Sequence, residues 1–148
     1  MHFARLCLLI AALTVAGCIT APILSDDEAA MLAATARTES GRFYAALAAA
    51  SEPECSYEHN MNEYASLHAT ARRLSARLAQ IHASAALLRA AGALVRTIED
   101  SRISHQLASA RTDDVNGACM APGAIALNAD AIARASQAIA DTQTSGAQ

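Results

Sequence analysis

The side chains Tyr57, Met61, Tyr64, His68, Ala71, Leu74, Leu78, Ile81, Ala85 and Leu88 recur every three or four positions. That is the spacing of one helical face. The pattern runs on through Leu94-Val95, Ile98, Ile103 and Leu107 without a proline. Left unbroken, it would make one helix more than fifty residues long, about 80 Å at 1.5 Å per residue. A chain of 148 residues with a single core cannot bury such a rod. The pattern must fold back on itself, and the position of that break governs the rest of the architecture.

Composition fixes the class of element. Alanine supplies 39 of the 148 residues; there is no Trp or Lys, and only three Tyr and two Phe. Alanine has the highest helix propensity and buries little apolar area. The β-branched and aromatic residues that favour strands are scarce. An all-α fold with a thin core follows.

The N-terminus carries a different signal. Met1-His2-Phe3-Ala4-Arg5 precedes an apolar run from Leu6 to Ala16. A charged start and an apolar stretch of about 7–15 residues make a signal peptide. A spanning helix needs about twenty apolar residues, and Thr20-Ala21-Pro22 closes this run too early. Leu13-Thr14-Val15-Ala16-Gly17-Cys18 ends in small residues directly before a cysteine. It resembles the lipobox of bacterial lipoproteins. The resemblance implies cleavage after Gly17 and acylation of the Cys18 sulfur, with a further acyl chain on the new N-terminus. Ile19, rather than Asp, at the next position resembles the pattern that allows transfer to the outer membrane. The rival readings are an ordinary secretory peptide with an incidental cysteine and an uncleaved helix.

Export bears on the other cysteines. With Cys7 removed and Cys18 acylated, Cys55 and Cys119 remain. In an oxidising compartment a remaining pair is expected to form a disulfide; the alternative is two separate thiols. A disulfide brings Cα atoms within about 7 Å. The periodic stretch between the two cysteines must then fold into a hairpin of nearly equal helical arms, with its turn near residues 82–85 and Ser84 as the N-cap. A break at Gly92 is the other reading, with unequal arms.

The remaining elements complete the bundle. Ser25-Asp26-Asp27-Glu28 has the form of a capping box, starting a helix expected to reach Ala50 with Leu32, Ala36, Glu39, Phe43 and Leu47 as its seam. Thr112 to Pro122 reads as a loop, rich in turn formers. A fourth helix is expected from Pro122 to about Asp141, with Ile125, Ala129, Ile132, Ser136 and Ile139 inward. The expected fold is an antiparallel up-down-up-down four-helix bundle. The division is signal peptide 1–17, lipidated tether 18–25, bundle 26–141 and disordered tail 142–148.

Functional constellations are few. His59 and Glu63 share a helical face, but two ligands do not make a metal site. His68 reads as a core-edge histidine. Arg72, Arg73, Arg77, Arg89, Arg96 and Arg102 read as a solvated face pairing with Glu58, Glu63, Glu99 and Asp100, or less simply as a patch for lipid phosphates or an acidic partner. Cys55-Ser56-Tyr57-Glu58-His59-Asn60 resembles the Cys-x-Tyr-x-x-Asn starts of small all-helical proteobacterial lipoproteins. The precursor's net charge is −3, which gives no support to nucleic-acid binding. No Ser/His/Asp set, Gly-rich phosphate loop or paired-carboxylate arrangement stands out. The expectation is therefore a lipid-anchored envelope protein, outer-membrane and facing the periplasm. It would act by binding, with a membrane and an envelope protein as partners, and without enzyme activity, cofactor or metal. The alternative is a periplasmic small-ligand-binding or enzyme-modulating module. Nothing in the pattern specifies an oligomeric state.

Overall fold

The computed structural model describes residues 26–111 and 118–145. Gly17, Cys18, the tether, Ser25, the loop centre 112–117 and the last three residues lie outside the described residues. Four helices follow one another: α1 (Asp27–Ala49), α2 (Tyr57–Gln80), α3 (Ala85–Ser109) and α4 (Pro122–Ser145). Among the described residues there is no strand.

Each helix packs against two others, in the order α1–α2–α3–α4 and back to α1. The directions alternate. The start of α1 meets the end of α2 where Asp26 bonds Arg77, and the start of α2 meets the end of α3 where the Tyr57 ring lies beside His105. Arg37 of α1 donates to Gln137 near the end of α4. The two poles therefore differ. One holds the start of α1 and the α2–α3 turn, and the other holds the α1–α2 and α3–α4 connections.

The long periodic stretch breaks where the sequence places it. The amide of His82 donates to Ala79 O (3.1 Å) and that of Ala83 to Leu78 O (2.9 Å). This paired closure is a Schellman motif, which needs a left-handed residue just past the cap. His82 supplies it with φ 52°. Ser84 Oγ then accepts from the Leu87 amide and starts α3. Gly92 lies inside α3 and breaks nothing.

Several boundaries and faces differ from the sequence expectation. The N-cap of α1 is Asp26, whose carboxylate accepts from the Ala29 amide at 2.8 Å. Arg77 grips the same carboxylate through Nε and Nη2 and also meets Glu28. A charged cap tied to a second helix does more here than a hydroxyl, since it joins two elements. α4 continues to Ser145, past the expected end at Asp141, and so takes in part of the expected tail. On α1, Leu32, Ala36, Phe43 and Leu47 are buried, but Glu39 sits at the rim and Ser40 and Tyr44 go inside. On α2 the buried row is Tyr64, Leu67, Thr70, Ala71, Leu74 and Leu78, and Met61 is exposed.

The α3 row shows why. Its buried positions are Leu87, Ala91, Leu94, Ile98, Ser101 and His105, spaced four, three, four, three and four apart. The turn resets the helical phase, so the α2 seam does not carry over. Ile103 lies two residues past Ser101, about 200° around the helix at 3.6 residues per turn. It and Leu107 therefore face outward, 41% and 63% exposed, and Leu88 is also exposed. The α4 row matches the sequence reading: Ile125, Ile132, Ser136 and Ile139 are buried, with Ala129 at the edge.

Gly41 sits inside α1 on its exposed side, and a Cβ there would meet nothing within 4 Å. Glycine in a helix interior costs about 1 kcal/mol relative to alanine. Gly41→Ala should accordingly raise unfolding stability by about 1 kcal/mol, read from urea denaturation at unchanged m-value.

Candidate functional site

Ser40, Ser101 and His105, three of the buried polar side chains, lie in the half of the bundle near Cys55 and Cys119. Those two cysteines are bonded, with Cα atoms 5.0 Å apart. Cys55 is buried and Cys119 half-buried. Three hydrogen-bonded clasps hold the loops around them. Asn60 Nδ2 donates to the carbonyls of Glu54 (2.6 Å) and Ser56 (2.8 Å). Ser109 Oγ accepts from the Tyr57 amide (2.8 Å) and donates to Ala118 O (2.7 Å). The Ala118 amide donates to the Glu52 carboxylate. The Cys-x-Tyr-x-x-Asn run thus has a physical content: Asn60 fastens the loop that delivers Cys55, and Tyr57 caps the α2–α3 groove.

Behind the disulfide a chain of buried polar groups crosses the core. His105 Nε2 lies 2.8 Å from Cys55 O, and Nδ1 lies 3.2 Å from Tyr64 Oη. Tyr64 Oη is 3.5 Å from Ser101 Oγ, which is 2.6 Å from Tyr44 Oη. A carbonyl only accepts, so Nε2 carries the proton. Burial pushes the His105 pKa down, against a smaller opposing effect of the Cys55 carbonyl, so the ring is neutral and Nδ1 accepts from Tyr64. One direction then satisfies every group: Tyr44 donates to Ser101, Ser101 to Tyr64, Tyr64 to His105, and His105 to the Cys55 carbonyl. Burial also pushes both tyrosine hydroxyls up, keeping them protonated donors. The rings of Phe43 and Tyr64 meet edge-on at 4.8 Å, and Tyr64 and His105 at 5.7 Å.

Of these two tyrosines, Tyr64 also borders a groove between α2 and α3. Tyr57, Met61, Asn62, Tyr64, Ala65, His68, Glu99 and Arg102 line it, enclosing about 410 Å³. Arg102 grips Glu99 through Nε (3.0 Å) and Nη2 (2.8 Å) and donates to Tyr57 Oη (2.9 Å). Its hydrogen bond holds the Glu99 carboxyl below the usual carboxylate range. The groove thus offers a ring, a thioether and a neutralised ion pair, suited to an inserted apolar or aromatic group. His68 is half-buried at its edge.

The other sequence candidates fall as follows. His59 and Glu63 line a separate groove between α1 and α2 with Glu39 and Arg42. Among the described residues no three His, Cys, Asp or Glu side chains converge as a metal site. Of the expected arginine pairs the described residues show one, Arg102 with Glu99. Glu99 takes Arg102, and Arg77 takes Asp26 and Glu28. Arg72, Arg73, Arg89 and Arg96 are exposed and make no ion pair with any described residue. Spacing is the reason for three of them, since Arg72, Arg73 and Arg89 lie nine or ten residues from Glu63 or Glu99 on their own helix, whereas Arg96 is one turn from Glu99 and Asp100 and pairs with neither.

His105, Ser101 and Tyr44 are absent from the sequence candidates. Their signal was present, because Ser101 and His105 extend the Leu87–Ile98 row at unbroken spacing; polarity hid it. Ser136 Oγ on α4 is buried without a hydrogen-bond partner. No helix of the described residues is long and apolar enough to cross a membrane. The fold defines a class, an all-helical domain of four helices. No family model matches the chain, and comparison with curated proteins and with solved structures returns no match.

Proposed function

We propose that this is a lipid-anchored envelope protein that acts by binding. The observation that carries this reading is the Leu13–Cys18 run, with cleavage after Gly17 and acylation of Cys18. Several acyl chains make a durable anchor, at about 0.8 kcal/mol per buried CH₂. The tether of residues 18–25 would keep the bundle within roughly 15 Å of the bilayer. Topology supports the rest. The chain reaches α1 at Asp26, at the pole opposite the disulfide, so the fastened loops around Cys55 and Cys119 would face away from the membrane. The clasps fasten the Cys55 loop and Ala118, and preorganised loops bind at a lower ordering cost. The envelope would be the outer membrane, by the Ile19 signal.

A second reading is a small-ligand-binding or enzyme-modulating module in the periplasm. The α2–α3 groove favours it, with an aromatic and a Met side chain beside the Glu99–Arg102 pair.

Replacing Cys18 by serine tests the first reading. The variant should lose all acyl labelling and accumulate as uncleaved precursor, visible as a heavier band. Unchanged processing would remove the lipobox and the anchor with it.

A further inference from the structure

Between Glu63 and Glu99 the chain holds five arginines, two histidines and no carboxylate. Folding turns this stretch into the turn half of the α2–α3 hairpin. Arg77 is engaged by α1. The other four, Arg72, Arg73, Arg89 and Arg96, are solvent-exposed. Arg89 and Arg96 are seven apart, so they share one face of α3. Counted from the turn, the four spread over about 10 Å of helix at 1.5 Å per residue. Of the acids at the same pole, Asp26 and Glu28 meet α2 at Arg77, and Asp27 and Asp141 belong to α1 and α4. The hairpin itself bears Glu58, Glu63 and Glu99 toward the disulfide end, and Asp100 one turn beyond Arg96. The turn half of the hairpin therefore carries a net positive charge.

The chain outside the described residues ends beside that half. Asp26, the first described residue, is held by two contacts to Arg77 of α2. A segment arriving there emerges next to the arginine-bearing hairpin. We propose that the outer face of this half-hairpin, Arg72, Arg73, Arg89 and Arg96, docks on an anionic phospholipid membrane and lays the bundle on its side. The proposal rests on the lipid-anchored reading for the nearness of the bilayer, and on charge complementarity for the choice of surface. Guanidinium groups engage phosphate through paired donors. Each Arg close to an anionic leaflet strengthens attraction by roughly fivefold, within a Debye length of about 8–10 Å. Docked so, the bundle keeps the disulfide pole and the α1–α4 side free.

The experiment uses the protein as purified from bacterial membranes. It is mixed with vesicles of phosphatidylcholine and, separately, of equimolar phosphatidylcholine and phosphatidylglycerol. Flotation is measured, and phenylglyoxal modification of each arginine is followed by peptide mass. The expected result is flotation with both vesicles, with Arg72, Arg73, Arg89 and Arg96 reacting several-fold more slowly on the anionic ones alone. Arg42 and Arg134 should be unaffected, and the protection should vanish at high salt. Flotation with both vesicles and equal reactivity would overturn the docking face and leave the anchor standing. Flotation with anionic vesicles only, with the same protection, would support the face and count against the anchor. Failure to float with either would overturn both. Protection elsewhere on the bundle would contradict the assignment.

Discussion

Replacing Cys55 and Cys119 together by alanine should lower the melting temperature by roughly 15 °C. The two residues close a loop of 64 positions. Removing such a cross-link from the unfolded chain restores conformational freedom worth roughly 4 kcal/mol. For a domain near this size each kcal/mol moves the melting point by about 4 °C. The effect is large against a typical total of about 5–15 kcal/mol; the core includes five buried alanines, which contribute little area. Alanine at 55 retains the backbone carbonyl that accepts from His105, so the variant isolates the cross-link from the polar chain. Thermal denaturation of the oxidised, reduced and double-alanine proteins decides the matter. A shift of only a few degrees would mean that the clasps of Asn60 and Ser109 hold the loops without the covalent bond.

His105→Ala should cost about 3–5 kcal/mol, more than a surface histidine by a wide margin. The substitution leaves a cavity where a fully buried ring stood. It also leaves the Cys55 carbonyl without its donor and the Tyr64 hydroxyl without its acceptor, and an unmade buried hydrogen bond costs about 1–3 kcal/mol. His105→Gln, whose amide can serve both partners, should cost less. The native ring predicts a pH signature as well. Its folded pKa lies below the unfolded value because burial disfavours the charged form. The unfolded chain therefore binds the proton first, and stability falls as pH drops below about 6.5, the ordinary histidine value. Above that value the contribution is complete. His105→Gln should flatten this acid-side slope in urea titrations between about pH 6.5 and 5. At lower pH a separate loss begins as Asp26 protonates, since the hydrogen bond from Arg77 holds its carboxyl below the usual range. An unchanged slope in His105→Gln would show that another group carries the acid sensitivity.

Much of the fold was legible because local chemistry and spacing agreed. The hairpin break at 82–85, the Ser84 cap, the Pro122 start and the inward row of α4 each follow from a turn former beside a helical period. What escaped was decided by tertiary partners. Asp26 replaces a serine cap because Arg77 of α2 comes within reach of it. Glu39 sits at the rim, where Thr70 meets it at 3.5 Å. Ser101 and His105 are inside because Tyr44, Tyr64 and a carbonyl satisfy them, while Ile103 and Leu107 are outside because helical phase leaves them no core. Polarity misjudged both pairs; the seven-residue spacing of α3 alone would have placed them. Of the arginine pairs, Arg102–Glu99 followed from i,i+3 spacing, while Arg77 went to Asp26 and Glu28 at the start of α1, a tertiary contact that spacing does not encode.

The account stands or falls on the N-terminus of the finished protein. The most direct measurement is the mass of the N-terminal peptide of protein purified from a bacterial envelope. The account predicts a peptide that begins at Cys18 and carries a diacylglyceryl thioether and an amide-linked acyl chain. A peptide beginning at Met1, or one in which Cys18 retains a free thiol, would contradict it.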